Sequence, residues 1–188
     1  MPLERLRRVV ARLTGVPAPP KVRRRTRKPT RPRDFQRARV YRWEAAHVFP
    51  QAGEPLSLAV CRALVETVYR WAERPGDTPG WRPPQVTDGR GRRHACGSRE
   101  AIKLPRWART RAVVLHECAH GLARDMHGPE FVAVYVGLLE RFAGLDAAAL
   151  RASLAEARVR VAEPQDPDAL ATRPPHPRAT RPAKSHGA

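Results

Sequence analysis

The fold turns on the stretch His116-Glu117-Cys118-Ala119-His120-Gly121-Leu122-Ala123-Arg124-Asp125-Met126-His127-Gly128-Pro129-Glu130-Phe131. Apolar or small residues at 112, 115, 119 and 122 continue a three-and-four spacing through its first half. That spacing predicts a helix over 108–123 packed on one side. Gly121 and the residues up to Met126 can end this helix, and Pro129 is suited to the first position of the next, where a missing N–H costs nothing. Phe131, Val134, Leu138 and Phe142 then face inward, and Gly144 stops the second helix. Asp146 is placed to cap a third, over 147–158.

Upstream, Leu58, Cys61, Leu64, Val65, Val68 and Trp71 form the apolar stripe of a helix over 57–72, with Ser57 as its cap. Between 81 and 105 the pattern changes to short segments around Asp88-Gly89, with Gln85-Val86-Thr87 before and Ala101-Ile102-Lys103-Leu104 after. Asp-Gly is a hairpin signal, so a small antiparallel sheet is expected there. The order of elements predicts an α+β fold.

The chain has 188 residues, 41% apolar and 29% charged, which suits one domain with flanking tails. Its 36 Lys and Arg against 18 Asp and Glu give a net charge of +18, a field that favours polyanionic or acidic partners. The charge is uneven. Residues 1–33 hold twelve cations and one anion, interrupted by prolines, and are expected to be a disordered basic arm. Residues 163–188 are proline-rich without an aromatic residue, an expected disordered tail. Every Trp, Tyr and Phe falls within 34–162, the expected domain. The arm is a candidate for nonspecific contact with nucleic acid, each cation neutralising a phosphate, although no aromatic residue interleaves it for base stacking. A merely solvated, Arg-biased tail is the plainer reading. No run approaches the roughly 18 apolar residues of a spanning helix, so no membrane association is expected. Arginines at 5, 7, 8 and 12 break any secretory h-region. Cys61, Cys96 and Cys118 lack C-x-x-C spacing and fit a reducing cytoplasm.

His116-Glu117-Cys118-Ala119-His120 is an H-E-x-x-H. Four residues at 100° each put His116 and His120 one turn apart on one face, where two imidazoles can converge on one ion. Glu117 sits one step round the helix, in reach of a water that the ion activates, which is the position of a general base. Two imidazoles suit zinc, which needs no redox partner. The bland alternative is a polar stripe of histidines hydrogen-bonded to neighbours. A catalytic zinc site takes three protein ligands and leaves one position open. His127 is the favoured third ligand. Glu130, opening the next helix, competes for the role, and otherwise serves as the carboxylate that receives the other N–H of a ligand histidine. The metzincin pattern fails, because Ala123 stands at its glycine and Met126 at its third histidine.

These residues carry a resemblance. His116-Glu117-Cys118-Ala119-His120 followed by His127-Gly128-Pro129-Glu130-Phe131 resembles the H-E-x-x-H and H-G-x-E-F pair of SprT-like zinc metallopeptidases, the group that includes the Spartan proteases acting on protein crosslinked to DNA. The order helix, small sheet, active-site helix, ligand helix resembles the compact zincin folds called minigluzincins. From about Phe35 to Ala162, including Leu104-Pro105-Arg106-Trp107-Ala108-Arg109-Thr110, the chain is similar to small metallohydrolases of actinobacteria and their phages, whose substrate is not established. It departs from SprT-like enzymes in a shorter gap between His120 and His127, and no cysteine-rich zinc ribbon follows in this sequence. The resemblance implies a zincin-like domain with zinc on His116, His120 and His127 and with Glu117 as base.

The expected function is therefore zinc-dependent hydrolysis of peptide bonds in a protein or peptide substrate, by a cytoplasmic monomer. The rival is a nucleic-acid-associated binding protein with a structural zinc. His94, Tyr41 and Tyr135 are candidate donors to a transition state, but an exposed loop histidine and packed tyrosines are the simpler expectations. Cys118, on another face from His120, is expected to be a buried inert thiol.

Overall fold

A computed structural model describes residues 34–76 and 78–163. The expected basic arm at 1–33 and, apart from Glu163, the expected proline-rich tail lie outside the described residues.

The described chain is a mixed α+β fold of five helices and a three-stranded sheet. Helix α1, Arg37–Trp43, runs on through a π turn, Glu44–Val48, and a 3-10 turn, Phe49–Gln51. Sequence periodicity assigns nothing here, for good reason: the helix is short, its N-cap Gln36 makes no side-chain capping bond, and its first turn carries no acidic residue. Tertiary contacts hold it instead. Val40, Trp43 and Val48 are buried, and the Trp43 indole N–H donates to Ser153 Oγ at 2.9 Å.

Helix α2, Leu58–Glu73, starts where Ser57 Oγ accepts from the Val60 N–H at 3.2 Å. Cys61, Val65, Val68, Tyr69 and Ala72 are buried, whereas Leu58, Leu64 and Trp71 pack on the rim of the core. The strands follow: β1 (Gln85–Thr87), β2 (Cys96–Gly97) and β3 (Ala101–Lys103). Their order is β1-β3-β2, with β3 parallel to β1 and antiparallel to β2. The sheet is thus mixed, not antiparallel throughout. Asp88-Gly89 does make a turn, with Asp88 Oδ1 accepting from the Arg90 N–H at 3.0 Å, but it leads the chain away from β1. The hairpin lies later, where Ser98 and Ala101 close the β2–β3 connection with a 2.9 Å backbone bond. A local turn signal reports a bend and not which strands the bend joins.

Helix α3, Arg111–Leu122, is capped by Thr110 Oγ1, which accepts from the Val113 N–H at 3.4 Å. A one-sided stripe was expected; instead Ala112 and every residue from Val114 to Ala119 are buried. Helices α2 and α4 and strand β2 all pack on α3, so it is the central rod of the fold. Helix α4, Pro129–Ala143, begins with proline at its first position and ends at Gly144, whose φ of 69° is the left-handed conformation that glycine adopts without strain. In α5, Ala147–Glu156, Asp146 caps the amides of Ala148 and Ala149. Beyond α5 the chain returns. Gln36 exchanges two 3.0 Å hydrogen bonds with the backbone of Arg160, and the Ala162 N–H donates to Pro129 O at 2.9 Å. The first described residues are thereby fixed beside the start of α4. Among the described residues no helix is long and apolar enough to cross a membrane.

Strand β2 passes so close to α3 that a Cβ on Gly97 would lie 2.1 Å from the Glu117 carbonyl oxygen. Both partners are backbone, so neither can yield by changing rotamer. Gly97→Ala should therefore cost about 1–3 kcal/mol of stability, measured by urea denaturation; an unchanged midpoint would show that β2 does not press on α3.

Candidate metal centre

Helix α3 carries His116 and His120 on one face, with ring centroids 4.8 Å apart and Nε2 atoms 3.1 Å apart. After Leu122 the chain leaves the helix at Ala123, in extended conformation, and turns back. Asp125 shapes that turn: its carboxylate accepts from the Glu130 and Phe131 amides at 2.8 and 2.9 Å, capping α4, and its carbonyl accepts from the Gly128 N–H at 2.8 Å. His127, between these anchors, points its ring at the helix pair, with centroids 4.7 Å from His120 and 5.3 Å from His116. The ligand atoms of the three histidines all lie within 4.8 Å of one another, and the three could hold a metal ion.

Two carboxylates orient the rings. His116 Nδ1 lies 2.7 Å from Glu44 Oε1, and His127 Nδ1 lies 2.9 Å from Asp34 Oδ2. A carboxylate accepts, so each Nδ1 carries a proton and Nε2 is the nitrogen that could meet a metal. The floor is apolar: the buried Phe131 ring stands 4.9, 4.6 and 5.0 Å from the His116, His120 and His127 rings.

The arrangement fits a cation on independent grounds. His127 Nε2 is buried with no hydrogen-bond partner, a situation that costs about 1–3 kcal/mol when nothing answers it. Two nitrogens on one tetrahedral zinc are roughly 3.3 Å apart, given bonds of about 2.0–2.1 Å, and the His116–His120 pair is already near that spacing. Burial, helped by the neighbouring imidazoles and Arg37, pushes His120 down to about 2, so it stays neutral. Burial also lowers His127, with Asp34 opposing. At His116 burial acts downward too, but the Glu44 carboxylate, by charge and hydrogen bond and with Glu117 assisting, outweighs it and the pKa is raised. The same negative charge that favours a proton there favours a metal cation.

Glu117, one step round α3, is buried. Burial pushes its carboxyl up to about 7, with His116 opposing and Glu44 assisting, while a backbone hydrogen bond from Gly97 lowers it. Its Oε2 has no hydrogen-bond partner.

His116, His120 and His127 therefore come together with Glu117 beside them. Among the described residues the metal-capable set is the three histidines, without Glu130, and the carboxylates at the Nδ1 atoms of His116 and His127 are Glu44 and Asp34. These two lie 72 and 93 positions from their histidines along the chain, where no local spacing could signal them. The one hint was a lone glutamate in the arginine-rich run Arg37–Arg42 and its continuation. His94 is exposed, on the loop between β1 and β2. Tyr135 is fully buried and its hydroxyl donates to Ala112 O at 3.2 Å, as a packed tyrosine should. Tyr41 is 41% exposed and stands edge-on to His127 at 4.9 Å, so it borders the site and is not packed away. Cys118 is fully buried, and burial raises its thiol well above the ordinary range, which leaves it inert.

Comparison with protein-family models, with curated proteins and with solved structures finds no match to this chain.

If Glu44 and Asp34 orient the ligand rings, Glu44→Gln and Asp34→Asn should each weaken metal binding about 10- to 100-fold, read by competition with a chromophoric chelator. Equal affinity in both variants would remove the orienting role.

Proposed function

We propose that the chain is a zinc-dependent hydrolase that cleaves peptide bonds, built on a zincin-like domain of the SprT-like and minigluzincin kind. The observation that carries this reading is the placement of a buried, proton-ready carboxylate, Glu117, next to three imidazoles whose lone pairs converge. Zinc suits such a donor set, and when bound it supplies Lewis acidity that brings the pKa of water toward about 7 and polarises a carbonyl.

The chain's own residues do the rest. His116, His120 and His127 fix the position of the ion, and Glu44 and Asp34 fix the rings. Glu117, buried and with Oε2 left without a hydrogen-bond partner, takes a proton from the attacking water and returns it to the leaving amine. Phe131 closes the floor, keeping bulk water from competing for the imidazoles. The reading with a purely structural zinc is less well supported. Structural sites are closed by four protein ligands, often cysteines, whereas the set among the described residues has three histidines and no cysteine.

Glu117→Gln should retain stoichiometric zinc and an unchanged melting temperature while hydrolysis of a peptide or denatured-protein panel falls about 10²- to 10⁴-fold. Full activity in this variant would contradict the proposed base.

A further inference from the structure

We propose that the Tyr41 hydroxyl, positioned by Arg37, is the hydrogen-bond donor to the oxyanion that forms on the substrate carbonyl. The inference deepens the hydrolase reading and rests on it.

Helix α1 presents Arg37, Tyr41 and Glu44 at intervals of four and three, hence along one face. Glu44, at the buried end, holds His116. Tyr41 sits on the same face but reaches the rim. Its ring is 4.9 Å from the His127 ring at 77° and 5.9 Å from the His116 ring. The other two aromatic rings against the histidines, Phe131 and Tyr135, are fully buried, and the Tyr135 hydroxyl is already spent on Ala112. Tyr41 is thus the phenol that touches both the ligand cluster and solvent.

Arg37 sets its direction. The guanidinium carbon lies 5.3 Å from the Tyr41 ring centroid, a cation–π contact that holds the ring at the rim. The contact is with the ring, so the phenol proton is left to be given elsewhere. A fixed donor aimed at developing charge in a partly dry site is what lowers the barrier to carbonyl addition. No bond is made or broken by Tyr41: it donates while the carbonyl oxygen carries negative charge and releases when the carbonyl reforms.

The test uses the full chain loaded with zinc and a phosphinic peptide, whose tetrahedral anion stands in for the oxyanion. Calorimetric titration of Tyr41→Phe should show phosphinate binding weakened about 10- to 100-fold with zinc content unchanged. In hydrolysis, kcat should fall about 10²- to 10³-fold with KM little altered. Arg37→Ala should lose part of both effects and Arg37→Lys should recover some of the loss, a pattern that a merely structural role would not give. Phosphinate bound equally by Tyr41→Phe and the wild type, or not bound by the zinc-loaded wild type, overturns the proposal. Failure of the hydrolase reading has a different signature: zinc taken up and phosphinate bound, but no peptide cleaved by the wild type.

Discussion

Three imidazole lone pairs aimed at one point inside a protein are a mutual liability unless a cation stands between them. His116 and His120 place their Nε2 atoms 3.1 Å apart, and His127 leaves its own buried and unpartnered. In water each nitrogen would hold a hydrogen bond to solvent; here His116 and His120 have each other and His127 has none. The chain accepts that penalty on its most buried helix, α3, and surrounds the rings with Phe131 on one side and carboxylates on the others. A divalent ion held there would turn three converging nitrogens into three ligands and answer the one that has no partner.

That constraint explains why distant segments meet where they do. Glu44 arrives through a π turn that continues α1, and this inserted turn carries a buried carboxylate to His116. Asp34 arrives because the chain after α5 grips Gln36 and ties residue 162 to Pro129, the first residue of the ligand helix. Both ends of the domain therefore converge on the metal centre. A carboxylate behind a ligand histidine fixes the tautomer and strengthens the donor, so the stability of the terminal contacts and the strength of the site are linked properties.

The parts of this design that were legible in the sequence are those with local signals. His116, Glu117 and His120 announce themselves because a four-residue spacing on a helix has one geometric meaning, and His127-Gly128-Pro129 because proline marks where the next helix begins. Ser57 and Asp146 cap the helices they precede. The failures are equally physical. Asp88-Gly89 makes its turn, yet the pairing of β1 with β3 is decided by contacts across 16 residues, as Gln85 opposite Ala101 shows. Helix α3 shows no one-sided stripe because it is buried on nearly every side. Helix α1 has neither cap nor long periodicity, so Glu44 had no local signal; Glu130 was the carboxylate weighed beside the histidines because it opens the next helix.

The central claim is that one ion binds to three imidazole nitrogens and to no thiolate. X-ray absorption at the zinc edge of the loaded protein tests this directly. The account predicts one zinc per chain with a first shell of nitrogen and oxygen at about 2.0–2.1 Å and the outer-shell scattering of three imidazoles. A sulfur shell at about 2.3 Å, fewer than three imidazoles, or no stoichiometric zinc would contradict it.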